Sequence, residues 1–212
     1  MFINIYSLMI HPELYQYFIY PQEWKTRFLT PELRSKNWDL YVQEEMPNVY
    51  TIPAFTEEFC EFIIEEAEAC NCWTFNRHEN YPTTDMLLET LRLKETYVEI
   101  LKEYFWDIAV DKYKLEEPYW KNLHSENFLA RYHPFAQYHL GLHHDHSQIT
   151  TVVTLNEDFT GGGTYFSKQK TRLQGKKGWI SIHPGQITHR HGGLPVLSGQ
   201  RYIIVSFCRI QN

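Results

Sequence analysis

The sequence predicts an α+β fold, mainly β, in which helices support a β-sandwich or barrel of the jelly-roll type. Three observations lead to this prediction. From Asn127 onward, short runs of β-branched and aromatic residues recur about every ten residues and are separated by Gly and Pro turns. Upstream, apolar residues follow the helical period. With 212 residues, of which 43% are hydrophobic and 16% aromatic, the chain is long enough to bury a sizeable core.

The first 126 residues are predicted to form helices and loops that support the core. Four prolines divide residues 1–48 into short helices and turns. Thr56 is predicted to cap a helix that runs to about Cys70, and a second helix is predicted from roughly Leu93 to Val110. Residues 71–92 are predicted to be irregular. The first helix carries six acidic residues that we interpret as a solvated face: Glu57, Glu58, Glu61, Glu65, Glu66 and Glu68.

Residues 127–212 are predicted to form the strands of the jelly roll. Together with residues 1–126 they form a single predicted domain. The predicted strands are Phe128 to Tyr132, Tyr138 to Asp145, Ile149 to Leu155, Thr164 to Phe166, Trp179 to Ile182, Ile187 to His191 and Tyr202 to Phe207. Such a closed topology brings strands that are distant in sequence next to each other.

Charge and composition exclude several classes of protein. The formal charge of −6 gives no footprint for nucleic acid. No apolar run is long enough for a transmembrane segment, and no signal peptide opens the chain. Met1 to Tyr6 is predicted to enter structure directly, so we expect a domain of a longer protein. The four cysteines form neither a dense disulfide pattern nor a paired zinc signature.

The residue types between His143 and His191 predict a metal site. Alternate side chains of a strand share a face, so His143 and Asp145 can offer an imidazole and a carboxylate to one ion. His191, from a distant strand, is the candidate third ligand, and His189 is its competitor on the same predicted strand face. Two histidines and one carboxylate leave positions open on non-haem Fe(II) for a cosubstrate and oxygen.

Arg201 is the candidate anion anchor. Its guanidinium is permanently charged and planar, which suits bidentate binding of a carboxylate. Strand alternation places Arg201 on the same face as Ile203 and Val205, so we expect it to point inward, where an unpaired charge is costly. The metal site and the arginine together predict a dicarboxylate that chelates iron at one end and meets Arg201 at the other. A structural ion pair is the alternative for this arginine.

Two further motifs have simpler interpretations. His144 and His146 face away from the triad and are expected to be exposed, although a second, weaker metal site with His189 stays open. The run Gly161 to Gly163 lacks the context of a phosphate-binding loop, which favours a tight turn with close backbone approach.

These motifs resemble the C-terminal catalytic domain of the procollagen-lysine 2-oxoglutarate 5-dioxygenases, the collagen lysyl hydroxylases. The similarity covers nearly the whole chain and is most specific from about Phe128 onward. The strongest matches are His143-His144-Asp145, Glu157 to Gly163, Lys177-Gly178-Trp179, His183-Pro184-Gly185, Thr188 to Pro195 and Arg201 to Phe207. Weaker matches upstream include His11 to Leu14, Pro47 to Tyr50, Arg77-His78-Glu79 and Pro82 to Asp85.

The resemblance implies a cupin-like double-stranded β-helix and a set of site residues. Fe(II) would be held by His143, Asp145 and His191, because the family places its distal ligand ten residues before the arginine. Arg201 and Tyr132 would bind 2-oxoglutarate. The family has an asparagine where this chain has Val152, and a threonine hydroxyl on either side, Thr150 or Thr154, is the candidate substitute.

The resemblance also implies the reaction and its participants. Lysine in collagen-like X-Lys-Gly sequences would be hydroxylated at C5 while O2 converts 2-oxoglutarate to succinate, with ascorbate as the reductant that rescues the iron. The implied partner is collagen, the implied state a homodimer, and the implied location the endoplasmic reticulum of the secretory pathway or a viral counterpart. Two alternatives remain open: a peptidyl prolyl hydroxylase of the same fold, and a non-catalytic, metal-bound collagen-binding module.

Overall fold

The structure, a computed structural model, describes residues 9–75, 77–78, 80–115 and 123–210. The predicted entry at Met1 to Tyr6 lies outside these residues. Strands of the described part form antiparallel sheets of seven, four and two strands. The mainly β fold with supporting helices is therefore confirmed.

The helical segments of the described part fall into an N-terminal group, up to α4, and a later group of three consecutive segments. They are a 3₁₀ turn (Pro12–Tyr15), α1 (Pro21–Phe28), α2 (Pro31–Arg34), α3 (Trp38–Tyr41), α4 (Glu57–Cys70), α5 (Lys94–Ile100), a π-helical segment (Leu101–Phe105) and α6 (Trp106–Tyr113). The 3₁₀ turn, α1 and α2 each begin with proline, which fits the first helical turn because its N–H groups need no intrahelical partner.

The two long predicted helices are confirmed, with two differences. The hydroxyl of Thr56 accepts a hydrogen bond from the backbone N–H of Phe59 and caps α4 as predicted. The second helix contains the π-helical turn, which periodicity alone does not reveal. The acidic face of α4 is not wholly solvated, since Glu66 is buried and accepts a hydrogen bond from the backbone N–H of His11 at 2.6 Å.

The strands follow the order of the chain in three sheets. They are β1 (Gln43–Met46), β2 (Val49–Pro53), β3 (Asp85–Leu87), β4 (Leu123–Tyr132), β5 (Leu140–His143), β6 (Ile149–Thr154), β7 (Thr160–Gly161), β8 (Thr164–Phe166), β9 (Thr171–Leu173), β10 (Trp179–Pro184), β11 (His191–Gly193), β12 (Val196–Ser198) and β13 (Arg201–Ile210). The large sheet has the order β1-β2-β10-β6-β13-β4-β3, the smaller sheet β5-β11-β8-β9, and β12 pairs with β7.

The large sheet separates the main core from a cavity. On β13, Tyr202 and Ile204 face the helices and join the main apolar cluster. The alternate residues Ile203 and Val205 face the other way and line the cavity with Arg201. The period of two along one strand therefore decides which side chains hold the fold together and which reach the cavity.

Three predicted strand boundaries are corrected by the structure. β5 ends at His143, so Asp145 lies beyond the strand, and β11 begins at His191, so His189 precedes it. The division at residue 126/127 is not the boundary of the sheet, because β1, β2 and β3 lie upstream and pair into it. β1 has the polar sequence Gln-Glu-Glu-Met of an edge strand, and β3 has three residues, so neither carries a strong strand pattern.

No helix in the described ranges is long and apolar enough to cross a membrane.

Gly178 provides a test of the close backbone contact between the turn before β10 and the segment that joins β2 to α4. Its φ is +78°, and an added Cβ would lie 2.1 Å from the carbonyl oxygen of Phe55. The two segments are held together at this point, because the backbone N–H groups of Ala54 and Phe55 both donate to the carbonyl oxygen of Gly178. We expect Gly178→Ala to reduce the free energy of unfolding by about 2 kcal/mol or more.

Thermal denaturation measures this effect, and Gly141→Ala is the matched control. A Cβ at Gly141 would meet nothing within 4 Å, so this variant should melt like the wild type. We expect the Gly178→Ala melting temperature to fall by about 4–8 °C, given the size of the chain. Equal melting temperatures for the two variants would contradict the packing described here.

Candidate active site

A cavity of about 490 Å³ lies between the large and the smaller sheet. β4, β6 and β13 provide one wall, and β5, β8 and β11 provide the other. The first wall is apolar apart from its ends and includes Phe128, Val152 and Val205. The second wall carries His143 and His191. This size and lining are those of a site for small molecules and single side chains.

The ligand atoms of His143, Asp145 and His191 meet at one end of the cavity. Among the described residues, these three form a group of His, Cys, Asp or Glu side chains that could hold one metal ion. Their ligand atoms all lie within 4.8 Å of one another. Nε2 of His143 lies 3.1 Å from Oδ1 of Asp145, and Nε2 of His191 lies 3.4 Å from Oδ2. The pairing of β5 with β11 places His143 directly opposite His191.

Backbone carbonyl groups orient both imidazoles. Nδ1 of His143 donates to the carbonyl oxygen of Gly141, and Nδ1 of His191 donates to that of His189, both at 2.8 Å. With Nδ1 donating to a carbonyl group, Nε2 is the ring atom that faces Asp145; it can donate to the carboxylate when the ring is protonated and offers its lone pair to a metal ion when the ring is neutral. Such outer hydrogen bonds fix the tautomer and ring orientation of metal-binding histidines.

Asp145 keeps its position through contacts outside any strand. Its backbone N–H donates to the carbonyl oxygen of Gly185 at 2.9 Å. The hydroxyl of Thr150 donates to Oδ2 at 2.6 Å, and the hydroxyl of Ser147 lies 2.8 Å from that of Thr150. These bonds explain how the carboxylate turns toward the histidines although β5 has already ended at His143.

The structure distinguishes the two threonines on either side of Val152. Thr150 lines the cavity and contacts Asp145, as described above. Thr154 lies four residues further along β6 and borders a separate, small pocket near Gly175. Of the two hydroxyls left open by the sequence, that of Thr150 is the one that contacts the metal-binding group.

Electrostatics at the triad favour an ionised carboxylate. Burial alone would raise the pKa of Asp145, but His191, His143 and His183 around it outweigh burial and hold this pKa well below its ordinary value. Burial lowers the pKa of His191. Burial also acts to lower the pKa of His143, but its hydrogen bond to Asp145 raises this pKa overall.

Arg201 lies at the other end of the cavity without an acidic partner. Only 3% of its surface is exposed, and none of the described carboxylates lies within ion-pair distance of it. Its guanidinium makes long contacts of 3.4 Å to the carbonyl oxygen of Gly163 and to the hydroxyl of Thr164. Burial lowers the pKa of Arg201. The structural ion pair considered from the sequence is thus not seen.

Tyr132 and Gly162 flank this arginine. β4 and β13 pair Tyr132 opposite Arg201, and the guanidinium lies 5.4 Å from the centre of the tyrosine ring. Burial raises the pKa of Tyr132, so its hydroxyl stays protonated and can donate. Gly162, at φ +63°, leaves room beside the arginine stem, because a Cβ there would lie 3.3 Å from Cδ of Arg201. This fits the close backbone approach predicted for the glycine run.

The donor set fits the ion and the cosubstrate predicted from the sequence. Two neutral imidazole nitrogens and one ionised carboxylate suit divalent first-row metals, including Fe(II), and they occupy one side of the site. The unpaired guanidinium of Arg201 supplies the second feature, since a buried charge without a partner is costly. A dicarboxylate that reached from the metal to Arg201 would satisfy both groups.

His189 is separate from the triad. Its Nε2 donates to the carbonyl oxygen of Pro47 at 3.0 Å, and its Nδ1 accepts from the hydroxyl of Thr188 at 2.8 Å. It does not lie on a strand face with His191, because β11 begins only at His191. Its carbonyl group nevertheless serves the site by accepting the hydrogen bond from His191.

His144 and His146 are exposed at the rim of the cavity. They are not part of the group of residues that could share an ion. A second three-ligand metal site with these histidines is therefore not seen among the described residues.

Sequence reasoning missed two features of the cavity. Arg77 lines it and pairs with the wholly buried Asp85 (Nε to Oδ1, 2.5 Å) and with Glu126 (3.0 Å). Tyr81 also lines it, with its ring centre 4.9 Å from that of His143. Both lie in the segment predicted only as irregular, where no periodic pattern indicates side-chain direction. His183 was quoted only as part of a motif, yet it is buried against His191.

Comparisons with known proteins agree with this geometry. No protein-family model matches the chain. It is 33% identical to a rat multifunctional procollagen lysine hydroxylase and glycosyltransferase, LH3, over 93% of this chain and 28% of the rat protein. It is 32% identical to the human procollagen-lysine,2-oxoglutarate 5-dioxygenase 2, over 92% and 28%, and 34% identical to the mouse dioxygenase 1, over 96% and 30%. The chain thus spans less than a third of the length of these relatives.

Solved structures share the fold at low sequence identity. A viral collagen prolyl hydroxylase from Paramecium bursaria Chlorella virus 1, in complex with 2OG, has a TM-score of 0.55 at 20% identity and covers 78% of this chain and 97% of the viral chain. A Pseudomonas putida prolyl-4-hydroxylase has a TM-score of 0.60 at 12% identity, over 78% and 94%. These similarities confirm the double-stranded β-helix.

Thr150→Val tests the support of the metal-binding carboxylate. Without the hydroxyl, Asp145 loses one fixed hydrogen bond and a buried acceptor atom loses its donor. We expect the affinity for Co(II), a spectroscopic substitute for iron, to fall by roughly 10-fold. Titration followed by visible absorption measures it.

Thr151→Val is the matched control, because Thr151 is buried on the same strand but does not line the cavity. Its Co(II) affinity should equal that of the wild type. Unchanged affinity in the Thr150 variant would show that the Thr150 hydroxyl does not support the site.

Proposed function

Because the chain belongs to the family of the procollagen-lysine 2-oxoglutarate 5-dioxygenases, we propose that it hydroxylates lysine at C5 in collagen-like X-Lys-Gly sequences. Fe(II) and 2-oxoglutarate are the proposed cofactor and cosubstrate. The observation that carries the proposal is the pairing, within one cavity, of the His143, Asp145 and His191 group with a buried arginine that lacks an acidic partner.

The residues of the triad would hold Fe(II). Carbonyl groups keep Nε2 of each histidine free for the metal, and Thr150 orients the carboxylate of Asp145. Bound iron would supply the oxidative chemistry, in which one oxygen atom of O2 enters succinate as 2-oxoglutarate loses carbon dioxide and the other is inserted into the C–H bond of the substrate as a hydroxyl group. The protein contributes binding and orientation to this chemistry.

Arg201 would bind the carboxylate of 2-oxoglutarate that is remote from the metal. Its guanidinium can donate two parallel hydrogen bonds, and Tyr132 can add a third from its protonated hydroxyl. The apolar wall of Phe128, Val152 and Val205 would keep water from the reacting groups and accept the aliphatic part of a substrate side chain.

Further proposals follow from the similarity alone. Residues 1–212 would form a single catalytic domain, ascorbate would restore iron oxidised in unproductive turnovers, and the protein would act as a homodimer on collagen. Its relatives are named as procollagen-modifying enzymes, which is consistent with a role in the endoplasmic reticulum of the secretory pathway or in a viral counterpart.

A prolyl hydroxylase remains the second candidate, because the solved structures with this fold include a collagen prolyl hydroxylase. Sequence identity favours lysine, since the relatives at 31–34% identity are named for lysine hydroxylation.

Asp145→Ala tests the reaction and the site together. A collagen-like Lys-Gly peptide is incubated with the protein, Fe(II), 2-oxoglutarate, ascorbate and oxygen, and analysed by mass spectrometry. We expect one added oxygen on lysine, and a loss of more than about 100-fold in the variant, because removal of a ligand exceeds the effect of an outer hydrogen bond.

Asp107→Ala, at an exposed position on α6, should keep full activity and serves as the control. Oxygen on proline would establish the second candidate instead. A wild type that forms neither succinate nor modified peptide would favour the binding module.

Arg201→Met tests the anion anchor through opposite effects on stability and binding. Removal of an unpaired buried charge should raise the melting temperature of the ligand-free protein. The same variant should lose most of the stabilisation that 2-oxoglutarate gives the wild type, and its KM for 2-oxoglutarate should rise roughly 10- to 100-fold.

Arg190→Met replaces an exposed arginine and should change neither quantity. An Arg201 variant that still gains stability from 2-oxoglutarate would show that the cosubstrate binds elsewhere.

A further inference from the structure

The proposed function leaves open what in the cavity selects lysine. Hydroxylation at C5 puts the ε-ammonium group two bonds from the reacting carbon. The ammonium group therefore has to lie close to the metal-binding end of the cavity when the reaction occurs. A charge that leaves water for a partly enclosed site needs a partner there, and a lysine-specific site has to provide one.

The carboxylates that the described residues contribute to the cavity do not supply this partner. Asp145 is the acidic residue among the described residues that line it. Its two oxygens already face His143, His191 and Thr150, and it would also bind the metal. Asp85 is wholly buried behind Arg77. The remaining charged groups of the lining are cationic.

The face of an aromatic ring is another protein group that attracts an ammonium ion. Three of the rings in the cavity already contact an arginine or pack against each other. The guanidinium of Arg77 lies 5.2 Å from the centre of Phe128, and that of Arg201 lies 5.4 Å from the centre of Tyr132. Phe207 packs edge-on against Phe128 at 5.3 Å.

Tyr81 differs from these rings in three respects. It is 41% exposed although it lines the cavity. The structure shows no guanidinium or ammonium group of the described residues over it. Its ring centre lies 4.9 Å from that of His143, a proposed iron ligand, which is the end of the cavity where the ammonium group has to lie.

We propose that Tyr81 determines specificity for lysine by receiving the substrate ε-ammonium group against its ring. The four methylene groups of the stem would pack on the apolar residues Phe128, Val205 and Phe207. Proline and uncharged side chains would gain nothing from the ring charge distribution. This inference rests on the proposed function, because it assumes a lysine substrate.

Equilibrium binding of two matched peptides tests the inference. One collagen-like peptide carries lysine and the other norleucine, which has the same stem without the ammonium group. Isothermal titration calorimetry measures both dissociation constants for protein loaded with Zn(II) and 2-oxoglutarate, so that no turnover occurs. The ratio of the two constants isolates the ammonium group, because a distorted cavity would weaken both peptides.

We expect the wild type and Tyr81→Phe to prefer the lysine peptide, since both keep the ring face. Tyr81→Leu should lose roughly 2- to 30-fold of that preference. Tyr138→Leu, at a tyrosine of similar exposure (43%) that does not line the cavity, should bind like the wild type.

Two results would overturn the inference, and they differ. A Tyr81→Leu variant with the full wild-type preference would overturn the role of Tyr81 and leave the proposed function intact. A wild type that binds both peptides equally well would overturn the inference, whereas the absence of added oxygen on lysine in the mass spectrometric assay would overturn the proposed function.

Discussion

The structure depends on one buried carboxylate that has to remain charged. Asp145 is nearly inaccessible to water, and an isolated ionised carboxylate in such a position would be costly. Two imidazoles and a threonine hydroxyl compensate this cost and hold the pKa of the carboxyl group low. A divalent cation would compensate it more fully. The proposed metal ligand is thus also the group whose charge the fold has to accommodate.

Backbone geometry accounts for how three side chains from distant segments meet. β5 and β11 pair so that His143 faces His191, and the chain after β5 is fastened to Gly185 through the amide of Asp145. Gly185 is required at that contact, because a Cβ there would lie 2.1 Å from the hydroxyl oxygen of Ser147. The site therefore rests on hydrogen-bonded backbone of two segments rather than on a free loop, which suits the fixed orientation that catalysis needs.

The features that could be predicted from the sequence are those with local rules. Alternation along β13 correctly turned Arg201 inward, and the cap at Thr56 correctly started α4. The ends of strands were harder to predict from the sequence. Asp145 continues the alternating pattern of β5, although the strand itself ends at His143. Tyr81 carried no signal at all: its direction is decided by contacts across the fold, which a segment without periodicity does not reveal. The metal and cosubstrate roles of the site residues stay predictions.

The charges of the cavity also suggest why its two ends are built differently. Arg201 makes only long contacts and lacks an acidic partner among the described residues. Its uncompensated positive charge would repel a lysine side chain that enters the same cavity. A bound dicarboxylate would cancel that charge at one end before the other end receives an ammonium group. A neutral substrate such as proline would be indifferent to this cancellation. If Arg201 binds the cosubstrate as proposed, the electrostatic cost of its unpaired charge would couple occupancy of that end of the cavity to affinity for a cationic substrate, without any movement of the backbone.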